Sequence, residues 1–165
     1  MSSDLTLRLA PLDPGDAGAQ ALMAQSEALM RALYPADSNH FEPADGLRAP
    51  RGAFWGAWLG EALVGCGGVK HHGPADEPAY GEIKRLFVLD SARGRGVAKQ
   101  LMARLEAGLQ ARGVGLARLE TGIHQPEALG LYRRLGYVER GPFGSYAPDP
   151  LSVFMEKRLP AGAAP

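Results

Sequence analysis

The sequence predicts an α/β (α+β) fold in which about seven β-strands form a central sheet flanked by helices. Three observations predict it. The chain has 165 residues, the size of one domain with a packed core. Seven short strand-like runs are separated by glycine, proline and polar residues, and in the second half of the chain they alternate with helical apolar patterns. We expect a single domain over residues 1–159 and a disordered tail over 160–165.

The N-terminal part of the chain predicts one strand and one helix. Residues 5–9 alternate apolar and polar side chains, which is typical of a strand, and the prolines that follow end it. Between Asp16 and Leu33, apolar residues recur at helical spacing and predict an amphipathic helix. Pro35 ends this helix, and residues 35–50, with three prolines, predict a long loop or a short broken helix.

The middle of the chain predicts a β-hairpin. Strand-like runs over 53–59 and 62–69 flank Gly60-Glu61, which suits a two-residue turn between antiparallel strands. Residues 71–78 are polar and predict a loop. The remaining segments are predicted as strands over 80–89, 115–121, 137–140 and 151–159, with helices over 97–112 and 126–135.

The composition excludes several classes of protein. Lys and Arg number 18, as do Asp and Glu, so the net charge is zero and we expect no nucleic acid partner. The single cysteine, Cys66, cannot form an intramolecular disulfide and is expected to be a small core residue. Neither a signal-peptide pattern nor a continuous apolar run of membrane-spanning length is present, which predicts a cytoplasmic protein with no membrane partner.

A strand, a glycine-containing turn and a helix follow one another over residues 83–99. Small residues at 94, 96 and 98 let a ligand approach the backbone, and unpaired N–H groups at a helix start favour an anion such as a diphosphate. The alternative is an exposed helix start whose glycines serve only the turn. A dinucleotide fingerprint needs a small residue where Lys99 stands, and no Gly-Lys-Ser/Thr triplet of a P-loop exists.

The turn does fit the pattern Arg/Gln-x-x-Gly-x-Gly/Ala, at Arg93, Gly96 and Ala98. This pattern resembles the acetyl-CoA-binding motif of the GNAT superfamily of N-acetyltransferases. The resemblance continues in the next helix, where the family commonly has Asn-x-x-Ala-x-x-x-Tyr and then Gly-Tyr or Gly-Phe. The matching residues are Gln125, which departs from Asn, and Ala128, Tyr132, Gly136 and Tyr137. The order of elements also resembles the family's mixed, mostly antiparallel sheet.

The resemblance implies acetyl-CoA as co-substrate and a set of residues that bind it. In family members the strand before the glycine turn splays from its neighbour at a bulge, and the pantetheine arm pairs with the exposed backbone, here at Leu86, Phe87 and Val88. The N–H of Val88 would then polarise the thioester carbonyl. The diphosphate would lie on the turn. The other residues implied to bind acetyl-CoA are Arg93, Gly94, Arg95, Gly96, Val97, Ala98, Lys99 and Gln125.

Two residues are candidates for catalysis. Tyr132 matches the family's general acid, and the alternative is a core aromatic residue, because Leu129 and Leu135 flank it at helical spacing. Glu82 precedes Arg93 by the offset at which one branch of the family places its catalytic glutamate, so it is a candidate base. The alternatives are a solvent-facing strand carboxylate and ordered water as the base. The four histidines lack metal-ligand spacing, and we expect no metal site.

The acceptor is expected to be the primary amine of a small molecule. In the family, the loop after the first helix and the loop between the last two strands line the acceptor site. The candidates in these loops are Tyr34, Asp37, His40, Phe143 and Tyr146. Asp37 has the alternative of capping a turn. Other interpretations are acetylation of a protein N-terminus or lysine, and a non-catalytic acyl-CoA sensor. The family's frequent dimers make a homodimer an option.

Overall fold

The computed structural model describes residues 6–73, 75 and 78–160. Seven strands form one sheet in the order β1-β2-β3-β4-β5-β7-β6. In the described ranges the pair β4–β5 is parallel and the other pairs are antiparallel. The elements are β1 (Leu7–Pro11), α1 (Ala17–Leu33), β2 (Gly52–Leu59), β3 (Ala62–His72), β4 (Tyr80–Val88), α2 (Val97–Ala111), β5 (Leu116–Gly122), α3 (Pro126–Arg134), β6 (Val138–Arg140) and β7 (Ser152–Arg158). This confirms the predicted mixed, mostly antiparallel α/β fold.

The helices begin and end where local sequence signals place them. The Asp16 carboxylate caps α1 by accepting hydrogen bonds from the N–H groups of Gly18 and Ala19, at 2.9 and 3.2 Å. Helix α3 starts at Pro126, whose missing N–H costs nothing there. Gly136, which follows α3, has φ 98°, a left-handed conformation that favours glycine.

Most boundaries agree with the prediction to within one residue, but two strands end at least two residues later than predicted. Strand β1 continues to Pro11 because it lies at the sheet edge, where a residue without an N–H is tolerated. Strand β3 continues to His72, so the loop predicted over 71–78 is wrong at its first two residues. The His71 N–H donates to the Arg51 carbonyl at 2.8 Å, which extends pairing that the polar composition concealed. Leu5 and residues 161–165 lie outside the described residues.

The helices cover both faces of the sheet. Buried residues of α1 pack with Leu47, Phe54 and Cys66, whereas α2 and α3 pack on apolar residues of β5 and β7. Cys66 is fully buried, and burial raises the pKa of its thiol to about 12, which keeps it protonated. Two short 3₁₀ turns, Ala36–Ser38 and Ala44–Leu47, break the segment between α1 and β2. No helix within the described ranges is long and apolar enough to cross a membrane.

Candidate active site

Strand β4 separates from β5 halfway along its length. The two strands pair only where Gly81–Ile83 meets Ala117–Leu119, although both continue further. Just beyond this point the register between β3 and β4 shifts, so that Arg85 and Leu86 together face Gly67. Arg85 has φ 60°, in the left-handed region. Such a bulge bends a strand, and here it accompanies a gap between the parallel strands.

The backbone of Val88 faces this gap. The Leu89 N–H donates to the Val64 carbonyl of β3 at 2.8 Å. Hydrogen-bonding directions alternate along an antiparallel strand, so the N–H of Val88 points to the opposite edge of β4. Of its two predicted companions, Phe87 packs its side chain in the α1 cluster. Leu86 packs against the buried apolar residues of α2 and its neighbours and also lines the cavity between the strands.

The N-terminus of α2 is open to an anion. Gly94 and Gly96 have φ values of 80° and 72°, and a Cβ at either would meet no atom within 4 Å. The first helical hydrogen bond runs from the Gln100 N–H to the Gly96 carbonyl at 3.0 Å, and no side chain caps the helix. The N–H groups of residues 97–99 therefore lack helical partners, as a phosphate-binding turn requires. This geometry fits the diphosphate of a CoA thioester.

The side chains around this turn differ in availability. Val97 is buried and anchors the helix, whereas Ala98 is half-buried and the cations Arg95 and Lys99 are exposed. Arg93 is also exposed, but it pairs with Asp90 at 2.9 Å and with Glu127 of α3 at 2.8 Å. The backbone is thus free for an anion while one of the three cations is already engaged.

A cavity of about 120 Å³ opens between the diverging strands. Its walls are Ile83–Leu86 of β4, Glu120–Gly122 of β5, the end of α1 with the loop that follows, and Gln125 and Tyr132 at α3. Among the predicted acceptor residues, Tyr34 and His40 line it. The cavity therefore lies where the gap, α1 and α3 meet.

Glu120 and Tyr132 are the two titratable groups of this cavity with strongly shifted pKa values. Burial raises the pKa of Glu120 to about 7, although its carboxylate accepts a hydrogen bond from Ser152 Oγ at 2.8 Å. Burial, aided by the Glu120 charge, raises the pKa of the Tyr132 phenol, which is 7% exposed and stays protonated. A base that titrates near neutrality and a permanent proton donor therefore share one cavity.

Sequence reasoning missed Glu120. The one signal available was an acidic residue near the C-terminal end of an otherwise largely apolar strand, Leu116–Gly122. That position acquires its meaning only when β4 separates from β5, because paired strands would leave no space beside the carboxyl group.

Glu82, the predicted base, lies beside the cavity and does not line it. It is 4% exposed, and its carboxylate contacts His72 Nε2 at 3.0 Å, the Tyr146 hydroxyl at 2.5 Å and Lys84 Nζ at 3.4 Å. Burial alone would raise the pKa of Glu82. The hydrogen bonds from His72 and Tyr146 and the charge of Lys84 outweigh burial, so the pKa is lowered.

Tyr34 and Gln125 form a hydrogen-bonded wall of the cavity. The Tyr34 hydroxyl donates to Gln125 Oε1 at 3.3 Å and accepts from the His124 N–H at 3.0 Å. Gln125 Oε1 also accepts from the Gly122 N–H at 3.2 Å. A Cβ at Gly122 would lie 1.9 Å from the Tyr34 oxygen, so this close approach requires glycine.

The other predicted acceptor residues do not line the cavity. Asp37 is exposed, and Phe143, 4% exposed, packs among aromatic side chains. The Tyr146 ring lies 5.0 Å from the ring of His40, and its hydroxyl serves Glu82. The two predicted loops nevertheless meet, because Ser38 Oγ donates to Asp149 Oδ2 at 2.6 Å.

Comparisons with known proteins find a matching family and several relatives. Residues 19–137 match the model of the Acetyltransferase (GNAT) family. A protein of Azospirillum brasilense described as an IAA acetyltransferase is 41% identical over 138 residues, which cover 84% of this chain and 88% of the relative. The N-acetyltransferase YsnE of Bacillus subtilis, itself uncharacterized, is 36% identical over 147 residues, covering 86% and 94%.

Solved structures share the whole fold. A candidate acyl-CoA N-acyltransferase from Klebsiella pneumoniae matches with a TM-score of 0.76 and 36% identity, covering 94% of this chain and 99% of that one. A Bacillus subtilis acetyltransferase solved in complex with CoA has a TM-score of 0.65 at 18% identity, covering 93% and 99%, which shows a common fold.

Proposed function

Since this chain belongs to the GNAT family of acetyltransferases and is an acyltransferase enzyme, we propose that it transfers an acetyl group from acetyl-CoA to the primary amine of a small molecule. The observation that carries the proposal is the presence of Glu120 and Tyr132 in one cavity, between strands that have separated. These two groups suit the two proton transfers that amine acetylation needs.

Two parts of the chain, the start of α2 and the free edge of β4, would bind the donor. The N–H groups of residues 97–99 would hold the diphosphate, and the exposed edge of β4 would pair with the pantetheine arm. The N–H of Val88 would donate to the thioester oxygen as negative charge develops there. That a structural neighbour binds CoA on the same fold supports this placement.

Acetyl-CoA supplies an activated acetyl group on a thioester. The Glu120 carboxylate would take a proton from the acceptor ammonium, so that the neutral nitrogen can bond to the acetyl carbon while the carbon–sulfur bond breaks. Tyr132 would give its hydroxyl proton to the departing sulfur. In the described part of the chain no residue hydrogen-bonds the Tyr132 hydroxyl, so it is available for this role. Glu82, which also contacts His72, would hold the side chains of Lys84 and Tyr146 in position beside the site.

The size of the cavity favours a small acceptor. Its volume of about 120 Å³ is below the roughly 300–1,000 Å³ of pockets for drug-sized ligands. The contact between Ser38 and Asp149 also joins the two loops across the acceptor side. A polypeptide substrate would need a more open groove.

Two measurements test the proposal. Calorimetry measures acetyl-CoA binding, and release of free thiol measures transfer to a panel of small amines, peptides with a free N-terminus or lysine, and IAA, which the name of the Azospirillum relative indicates. We expect faster transfer to a small amine than to any peptide. Preference for a peptide would overturn the small-molecule acceptor. Tight binding of acetyl-CoA with no transfer to any acceptor would indicate a sensor.

A further inference from the structure

Arg85 is held rigidly in the wall of the cavity. Its Nη2 donates to Glu27 Oε1 of α1 at 2.9 Å, and its Nε donates to the Glu42 carbonyl at 3.2 Å. The guanidinium carbon lies 5.2 Å from the centre of the Phe41 ring. These contacts reach two segments, α1 and the loop that follows it, and together they hold the guanidinium in place.

One nitrogen of this guanidinium has no partner. Arg85 Nη1 is buried, and among the described residues it is the one buried side-chain nitrogen or oxygen that lacks a hydrogen bond. The whole side chain is 11% exposed. Leaving a buried donor unsatisfied is unfavourable, and more so for a charged group. Arg85 lines the cavity, so an acceptor bound beside it can supply the missing hydrogen-bond acceptor after a small shift of Nη1, which protein atoms cover.

The backbone at Arg85 adds a second cost at the same place. Its φ of 60° lies in the left-handed region, which is unfavourable for a residue other than glycine. The bulge that imposes this conformation also directs β4 away from β5. Strain and an unsatisfied donor in one residue are typical of a ligand-binding position.

The charges around the cavity are unequal on its two strands. Lys84 and Arg85 lie on β4, and Glu120 lies across the gap on β5. Lys84 is engaged, since its Nζ donates to the Tyr146 hydroxyl at 2.9 Å and to the His40 carbonyl at 3.3 Å and pairs with Glu82. Glu27 offsets the charge of Arg85 but leaves Nη1 unoccupied. A carboxylate oxygen would complete this wall, because it accepts the hydrogen bond that Nη1 can donate.

From these contacts we propose that the acceptor carries a carboxylate as well as its amine, and that Arg85 Nη1 binds the carboxylate. The proposal rests on the amine acetylation proposed above. The acceptor would then lie across the gap, with its ammonium toward Glu120 on β5 and its carboxylate toward Arg85 on β4. The acceptor class is an amino acid or a similar amino-carboxylate.

Matched acceptors test this class. Transfer is measured to alanine, β-alanine and 4-aminobutyrate, and to the carboxamide of each, with the wild type, Arg85→Gln and Arg85→Lys. A charge-assisted hydrogen bond to a buried guanidinium predicts a preference of roughly 10- to 100-fold in kcat/KM for at least one acid over its amide. Arg85→Gln should reduce that ratio to near one. Arg85→Lys should also give an acid-over-amide ratio below that of the wild type, because an ammonium cannot keep the contacts of Arg85 while reaching a carboxylate.

Lys70→Gln is the matched control. Lys70 of β3 pairs at 3.2 Å with Glu42, the residue whose carbonyl binds Arg85, but Lys70 does not line the cavity. This variant should therefore keep the wild-type ratio of kcat/KM for acid over amide. Far-ultraviolet circular dichroism and the unfolding midpoint verify that each variant is folded. The ratio is informative even where Arg85→Gln lowers both rates.

The outcomes separate the two proposals. Transfer to amines with no preference for any acid over its amide overturns the role of Arg85 and leaves the proposed function standing. If no amine is acetylated, calorimetry with alanine decides: binding to the wild type that Arg85→Gln abolishes supports the carboxylate site without the reaction. Equal binding to both proteins, or no binding to either, overturns the site.

Discussion

Replacing Glu120 by glutamine should make the protein more stable at neutral and alkaline pH while it removes activity. The pKa of about 7 means that the folded protein binds the Glu120 proton more tightly than the unfolded chain, where the value is near 4.5. Stability due to this group is therefore fully present below pH 4.5 and is lost as pH rises toward 7. The difference corresponds to about 3 kcal/mol, at roughly 1.4 kcal/mol per pH unit.

Urea unfolding at pH 4.5 and pH 8 measures this effect. Glutamine keeps a carbonyl oxygen for the Ser152 hydroxyl, so Glu120→Gln should match the wild type at pH 4.5 and exceed it by up to about 3 kcal/mol at pH 8. Glu61→Gln, a change at an exposed turn, should show no such difference. Equal pH dependence of the wild type and Glu120→Gln would refute the reasoning from burial.

The kinetic part of the same prediction concerns the ratio of kcat/KM between the wild type and Glu120→Gln. A general base contributes roughly 10²- to 10⁴-fold where it is ionised. With a pKa of about 7, the ionised fraction of Glu120 rises about tenfold between pH 6 and pH 8, so the ratio should rise about tenfold as well. Because both proteins use the same acceptor, the ionisation of the free amine cancels. A ratio that stays constant with pH would remove Glu120 as the base.

Three further substitutions, one of them with a matched control, test other parts of the site. Tyr132→Phe should lower kcat by about 10²- to 10⁴-fold with little change in acetyl-CoA affinity by calorimetry; unchanged turnover would exclude it as the acid. Gly96→Val places a side chain at φ 72°, and its strain of about 1–2 kcal/mol should weaken acetyl-CoA binding roughly tenfold, whereas unaltered affinity would place the donor elsewhere. Gly122→Ala should destabilise the fold by about 1–3 kcal/mol through its contact with Tyr34, while Gly108→Ala, in open space on α2, should stabilise it; the opposite order in thermal unfolding would contradict this packing.

The helices and the hairpin could be predicted because their signals are local. Asp16 caps α1 through groups two and three residues away, and Pro126 starts α3 by its own geometry. Gly60 has φ 58°, as a two-residue turn between antiparallel strands allows. The extension of β3 to His72 escaped prediction, because it depends on a partner strand that polar composition does not reveal.

The site could be predicted only where a motif marks it. The glycine turn before α2 and the position of Tyr132 both follow from short patterns in the sequence. The choice between Glu82 and Glu120 does not, since both are acids on strands and only the point of separation between β4 and β5 decides which one borders a cavity. Phe143 likewise packs inward because aromatic neighbours from distant strands surround it.

The ion pair between Arg93 and Glu127 joins the turn before α2 to the first turn of α3, the helix that carries Tyr132. Nη1 and Nη2 of Arg93 already contact Glu127 and Asp90, so a phosphate that bound both nitrogens would displace a carboxylate. A donor phosphate bound in this way would compete with α3 for the guanidinium, and since Arg93 and Glu127 are both more than half exposed, the exchange would cost little. Binding of a donor at Arg93 would break its ion pair with Glu127 of α3, and release of the donor would let the ion pair form again.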